Sequence, residues 1–186
     1  SGYFDSKATY IFSVRQSYLQ LLFKLLGLPF LPNYIDAQAK VRIRPSDDYE
    51  ITVLGLMGVD RLRLNLDKKG EENEYILSYI PKIEQETFTL GASLKHFGGR
   101  HIQTFSVGYS FLANRNTKYI DNDESSEENL RLRLRSTEGK ATARFENRSL
   151  LERWRLREGA EVSLCHFFTT TKQLLPSGVR SYFDYE

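Results

Sequence analysis

Residues 34–44 read Tyr-Ile-Asp-Ala-Gln-Ala-Lys-Val-Arg-Ile-Arg and alternate without a break. Ile35, Ala37, Ala39, Val41 and Ile43 fall on one side; Asp36, Gln38, Lys40, Arg42 and Arg44 fall on the other. Successive side chains of a strand point to opposite faces, so this run is a strand with one apolar and one charged face. A single strand of this kind decides little, because half-exposed strands in many sheets alternate. The weight comes from recurrence.

The same pattern returns along the chain. A first strand covers about 7–15, with Tyr10, Phe12 and Val14 on one face and Ile11 an exception on the other. A third covers 49–64, where Tyr49, Ile51, Val53, Met57 and Val59 oppose Thr52 and Asp60, and Leu54 and Leu56 break the rule. Gly55 and Gly58 there leave room for a bulge or for close packing. The fourth, 85–97, sets Phe88, Leu90, Ala92 and Leu94 against Thr87, Thr89, Gly91 and Ser93. Gly98-Gly99 is a hairpin signal. In the fifth, 101–112, Phe105, Val107, Tyr109 and Phe111 share a face. The sixth opens with Leu-Arg-Leu-Arg-Leu-Arg at 130–135; Glu138-Gly139 reads as a bulge, kink or hairpin, and the pattern resumes over 141–148. The seventh covers about 159–171. The tail 176–186 is unassigned, although 179–186 alternates weakly.

The connections are long and short by turns. Tyr18–Leu31 is nearly all apolar up to Gly27, which reads as a short apolar helix stopped by glycine. Pro45-Ser46-Asp47-Asp48 is a tight turn. Asp67–Asn73 is a solvated loop, and Tyr75–Ile83 reads as a small hairpin arm. Asn114–Asn129 is a long acidic loop. Outer-membrane barrels pair short periplasmic turns with longer external loops. Strands of about 10–13 residues also suit a tilted membrane crossing better than a soluble sheet. The expected fold is therefore all-β: an antiparallel up-and-down meander of about seven long strands, part of a transmembrane β-barrel, with one short helix in the first long loop.

Bulk composition agrees. The chain has 186 residues, a net charge of +2, 13% aromatic and 40% hydrophobic residues. Disordered chains are poorer in aromatics. No basic stripe interleaved with aromatics points to nucleic acid. Eleven tyrosines and twelve phenylalanines suit strands and interfacial girdles. Cys165 stands alone, so no internal disulfide forms, and it reads as a small apolar strand residue. No run of eighteen apolar residues exists. Ser1-Gly2 reads as a cleavage boundary, leaving destination open.

The run Ser6–Leu22, with its Ser-Val-Arg-Gln-Ser-Tyr-Leu-Gln-Leu-Leu ending, resembles TonB-dependent outer-membrane receptors, particularly those of Bacteroidetes. The resemblance continues through Leu31-Pro-Asn-Tyr34, Asp36-Ala-Gln-Ala-Lys40, the Pro-Ser turn and Asp60-Arg61. It is clearest over 6–64. It implies that residues 1–186 are one partial barrel domain, without the plug and TonB box of that family, from a barrel of the plugged, 22-stranded class. It implies residence in the Gram-negative outer membrane and uptake of a siderophore or glycan. The implied partners are outer-membrane lipid, the remaining strands and plug, and TonB through that plug. An isolated fragment would be prone to self-associate.

On this reading Ile35, Ala37, Ala39, Val41, Ile43, Phe105, Val107, Tyr109 and Phe111 face lipid. Asp36, Gln38, Lys40 and Arg42 face the lumen. So do Arg131, Arg133 and Arg135, forming a basic stripe with Arg144 and Arg148 that reads either as a channel wall guiding anionic solutes or as a solvated face paired with nearby glutamates. His96 and His101 flank the Gly-Gly turn, but two ligands without a third make a poor metal site. The acidic run Asp121–Glu128 lacks EF-hand spacing and reads as a solvated loop. Tyr18–Leu31 reads equally as a core helix of a soluble protein or as a loop packed at a barrel mouth. No acid, base and nucleophile come together as an enzyme needs, and no cofactor motif occurs. Two other functions stay open: a soluble all-β binding module, and a small free-standing barrel whose eighth strand is the tail.

Overall fold

The computed structural model describes residues 1–5, 7–66 and 70–185. They form one nine-stranded antiparallel sheet in which every strand pairs with its sequence neighbours. The strands are β1 (Gly2–Asp5), β2 (Ala8–Gln16), β3 (Phe30–Ser46), β4 (Tyr49–Leu64), β5 (Lys82–Gly98), β6 (His101–Tyr119), β7 (Leu130–Leu150), β8 (Arg155–Leu174) and β9 (Arg180–Tyr185). The all-β meander expected from the alternation is what forms. β2–β8 are the seven strands read from the sequence, and short strands are added at both edges. β9 takes up the unassigned tail.

β3 to β8 run from 16 to 21 residues each. About 9–11 residues suffice for a tilted crossing of a bilayer, so each strand is longer than one crossing needs. The sheet has two open margins. β1 covers only the start of β2, leaving Ile11–Gln16 without a ladder partner on that side. β9 covers Thr169–Leu174 of β8, leaving Arg155–Phe168 open. β1 and β9 run parallel to each other, because the count is odd. Joining them would make a parallel seam, so an all-antiparallel barrel needs at least one further strand.

One end of the sheet carries the longer connections. The link from β2 to β3 holds α1 (Leu19–Leu25), as its leucine run suggests. The Ser17 hydroxyl accepts from the Leu19 N–H at 3.1 Å. Gly27 sits at φ 72, the left-handed conformation that ends many helices. Gly27→Ala should lower stability by about 1 kcal/mol, read by denaturant titration of the detergent-folded chain. The link from β4 to β5 holds α2 (Glu71–Tyr79), where a hairpin arm was expected. Acidic Glu71, Glu72 and Glu74 fill its first turn, which suits the positive helix end. Of the solvated loop read at 67–73, residues 67–69 lie outside the described residues. The link from β6 to β7 holds two 3₁₀ turns, Ile120–Asn122 and Glu127–Asn129. Ser125 and Asn129 donate to Asp123 and hold its carboxyl below the usual carboxylate range. The link 175–179 is the short exception at this end.

Two side chains tie these loops to the sheet. Asn65 is buried and donates to the Leu28 carbonyl at 3.0 Å. Lys118 is buried and donates to the Leu77 carbonyl and to Asn122. The opposite end has tight turns only. That after β5 is Gly99-Arg100, one residue later than the Gly-Gly reading, with Gly99 at φ 27.

Glu138-Gly139 makes neither bulge, kink nor hairpin: β7 passes through it in unbroken register with both neighbours. Gly55 and Gly58 likewise sit in an unshifted ladder. Among the described residues only Pro29, Leu77 and Leu130 are buried apolar side chains. A 186-residue chain with no larger core keeps its apolar groups elsewhere.

Candidate functional site

Those groups lie on one face of the sheet. Direct ladder partners share a face, so the register strings them into rows. One row runs Tyr10, Val41, Val53, Ala92, Val107, Ala143, Val162 across β2–β8. The next runs Phe12, Ala39, Gly55, Leu90, Tyr109, Ala141, Leu164. Flanking them are Val14, Ala37, Met57, Phe88, Phe111, Gly139, His166 and Ala8, Ile43, Ile51, Leu94, Phe105, Phe145, Ala160. The result is a continuous apolar belt. It is also the open face: Phe88, Leu90 and Leu94 are 43%, 49% and 42% exposed, while Thr87, Thr89 and Ser93 between them are half-buried. This sheet turns its greasy side outward and shelters its polar side, the reverse of a soluble protein.

The belt has a sharp upper limit. One row beyond Ile35, Val59, Glu86, Ala113 and Thr137, the same face reads Asn33, Arg61, Glu84, Arg115, Arg135, Thr170. Arg63, Arg133 and Lys172 lie further along it. At this level the opposite face becomes apolar, with Leu62, Ile83 and Leu134 in register through Asn116. The two faces exchange polarity within one strand, and no register shift marks the exchange between Arg133 and Ser149. An environment that changes from apolar to aqueous along the outer face explains this. A misregistered strand does not.

The exchange corrects one part of the sequence reading. Arg133 and Arg135 share a face with Phe105, Val107, Tyr109 and Phe111, so they cannot oppose them. Arg131 falls at the register shift between Leu130 and Leu132 and has no direct partner. Arg144 and Arg148 are on the other face, so the expected stripe of five arginines does not assemble. The physical reason is depth: beyond the belt, arginine belongs on the outside. Asp36, Gln38, Lys40 and Arg42 stand opposite Ile35, Ala37, Ala39, Val41 and Ile43, on the sheltered face.

That sheltered face is built of small and polar groups. Thr89 donates to the Ser110 hydroxyl at 3.0 Å, and the Thr142 and Ser163 hydroxyls are 3.0 Å apart. Gly91 and Gly108 are direct partners between them. Toward the loop end a row reads Tyr34, Asp60, Gln85, Asn114, Ser136, Thr169, Tyr185. The side-chain oxygens of Asn114 and Asn116 are buried there without a hydrogen-bond donor. Near the tight turns two glutamates are clamped by cations. Glu50 accepts from Arg42 at 2.5 Å and Arg44 at 3.0 Å, with Lys95 at 3.9 Å. Glu146 meets Arg157 at 2.6 Å, Arg148 at 2.7 Å and Arg144 at 3.0 Å. Arg15 and Asp36 pair at 2.8 Å. The clamp on Glu146 was not legible, because Arg157 reaches it only through the register of β7 and β8. Glu146→Gln should lower the urea midpoint of the folded chain further than Glu138→Gln, whose carboxylate has no ion pair among the described residues.

His96 stacks on Tyr49 at 4.8 Å, and His101 contacts the Ser149 hydroxyl at 2.9 Å. The turn thus gives each its own partner. Among the described residues no group of three or more His, Cys, Asp or Glu is placed to hold a metal. Among the described residues no helix is long and apolar enough to cross a membrane, which says nothing about strands. Near the outer loops Arg133 donates to Glu127 at 2.7 Å and to the Tyr119 hydroxyl at 2.9 Å. The Arg133 guanidinium holds the Glu127 carboxyl below its usual range.

No family model matches this sequence, and no curated protein matches it. A solved structure does share its fold. That structure is "Copper transporter OprC", an outer-membrane barrel, with a TM-score of 0.64. The fold is a stretch of barrel wall. The superposition covers 96% of this chain at 11% identity. It covers 26% of the OprC chain, so this chain spans about a quarter of its neighbour's length. The likeness explains which face is sheltered: in a barrel wall the polar side is concave and its side chains converge, while the apolar side is convex and open.

Proposed function

We propose that this chain is wall from an outer-membrane transport barrel, a TonB-dependent receptor that takes up a scarce nutrient such as a siderophore or glycan. The observation that carries this is the exchange of polarity at the upper limit of the belt. On β3 the belt spans Ile35 to Ile43, the nine or so residues that a tilted strand needs to cross a bilayer. Beneath its lower limit Tyr49, His96, Gln103 and Asn147 form a polar and aromatic row suited to the other interface.

In this arrangement Ile35, Ala37, Ala39, Val41, Ile43, Phe105, Val107, Tyr109 and Phe111 meet lipid, and Asp36, Gln38, Lys40 and Arg42 meet the lumen. The chain is one partial barrel domain, completed by strands at the open margins of β2 and β8. The hydroxyls of Thr89, Ser110, Thr142 and Ser163 and the clamps on Glu50 and Glu146 present a polar surface to a plug and to passing cargo. TonB would act through that plug. The apolar loop around α1 lies at the mouth, where Leu25 and Leu26 are largely exposed. A soluble binding module is disfavoured by the exposed belt, and a self-closed barrel by the parallel seam.

The test is made in a Gram-negative cell expressing the protein that contains this chain. Density fractionation should place it in the outer membrane, and its removal should abolish energised uptake of one labelled siderophore or oligosaccharide. Recovery in the cytosolic fraction would refute the reading.

A further inference from the structure

Just above the belt, the outer face of β5 to β9 holds a cleft of about 460 Å³. Ala113, Thr137 and Phe168 floor it, and Tyr182 closes it toward β9. Its cations are unequal. Arg115 is engaged by Glu84 at 3.0 Å. Arg135 and Lys172 have no ion pair among the described residues. They are diagonal neighbours across β7 and β8, because Arg135 faces Thr170 and Arg133 faces Lys172. Diagonal neighbours stand about 7–8 Å apart at the backbone, near enough for two long side chains to reach one anion. Glu127, paired with Arg133, acts on Lys172 electrostatically without an ion pair, and Glu86 lies on the far side, toward β5, so the positive charge left without an ion pair is concentrated over β7 and β8.

We propose that this cleft binds the net-anionic phosphate headgroup of a lipid in the leaflet at the long-loop end, one with no ammonium to offset the phosphate, with acyl chains descending over the belt. The inference rests on the membrane reading above and deepens it by naming a lipid class and its site. Arginine's planar fork suits phosphate oxygens, and lysine adds a compact second charge. A phosphate at this level needs no polar group inside the hydrocarbon. Phe168 and Ala113 beneath it give the first methylenes an apolar surface, which a free anion would not use. The mixed lining of two unpaired cations over an apolar floor matches an amphiphile.

The test uses the protein that contains this chain, folded in detergent micelles, with lipid adducts counted by native mass spectrometry. Phosphatidylglycerol is compared with phosphatidylcholine on the unaltered chain, on Arg135→Ala/Lys172→Ala, on Arg135→Lys/Lys172→Arg, and on Arg153→Ala/Arg155→Ala at the opposite end. The unaltered chain should retain phosphatidylglycerol in preference. The double alanine variant should lose that preference by roughly tenfold or more. The charge-conserving variant and the distant variant should keep it. Equal retention of both lipids by the unaltered chain, or no change in the double alanine variant, overturns the site while leaving the membrane reading intact. Displacement of the lipid by millimolar inorganic phosphate overturns the lipid in favour of a free anion. A chain that stays soluble and monomeric without detergent, and takes up neither lipid, overturns the membrane reading and the site with it.

Discussion

Leu90→Arg is expected to cost about 2–4 kcal/mol of folding stability in a lipid bilayer, and Thr89→Arg, one residue away, less than about 1 kcal/mol. Leu90 lies in the middle row of the belt, between Gly55 on β4 and Tyr109 on β6. An arginine there must either sit in hydrocarbon or bend away past two apolar rows to reach water. Thr89 faces the other way, between Leu56 and Ser110. Its replacement loses one hydroxyl hydrogen bond and places the guanidinium in a wet lumen. Urea titration of both variants folded into vesicles measures the difference. Equal costs would mean that the two faces do not see different solvents.

Gly159→Val is expected to cost about 1–3 kcal/mol, because the ladder leaves no space for a side chain. A Cβ at Gly159 would stand 2.4 Å from the Phe145 carbonyl oxygen and 3.2 Å from the Glu146 Cα. Both are backbone atoms of β7, so relief requires the two strands to separate. That separation would also disturb Glu146, the direct partner of Gly159, and its contact with Arg157. Gly55→Ala is the control. A Cβ there meets only the Leu90 side chain at 4.0 Å, an ordinary contact, and the change should stay within about 0.5 kcal/mol. The same vesicle titration reads both.

The sequence carried the strands well wherever one environment held along the whole run. β5 and β6 alternate cleanly, and so does the lower part of β3, because each side chain pair sees lipid-like and lumen-like surroundings in turn. β7 is the instructive failure. Leu130, Leu132 and Leu134 alternate in the opposite phase to Ala141, Ala143 and Phe145, so the strand looks broken at Glu138-Gly139. It is one strand crossing from one solvent to another. Alternation reports a contrast between faces but not which face is wet, and arginine was read as lumenal at every depth. The Arg-Leu-Arg-Leu run at 61–64 on β4 carries the same signal and shows that the exchange is a property of the sheet.

Other misses have local causes. α2 was legible in principle: Tyr75 and Tyr79 are four apart, and an acidic first turn precedes them. β9 is short and mixed, with Tyr182 outside and Phe183 inside. The clamp on Glu50 joins residues on neighbouring strands, as does the Arg157 contact to Glu146, and only the register of tight turns brings these together; Arg144 and Arg148 reach Glu146 from two residues away on the same strand. That register is what spacing alone leaves undetermined where the turn residues are ambiguous, as at 151–154.

The most direct test is a solvent-accessibility scan along the outer face of β6. In a Cys165→Ser background, single cysteines replace Phe105, Val107, Tyr109, Phe111, Ala113 and Arg115 in turn, each carrying a fluorescent label in vesicles. Brominated acyl chains should quench the labels at 105, 107, 109 and 111, and an aqueous quencher should take over at 115, with 113 at the boundary. Aqueous quenching at every position, or lipid quenching that persists at 115, would contradict the exchange of polarity on which the membrane assignment stands.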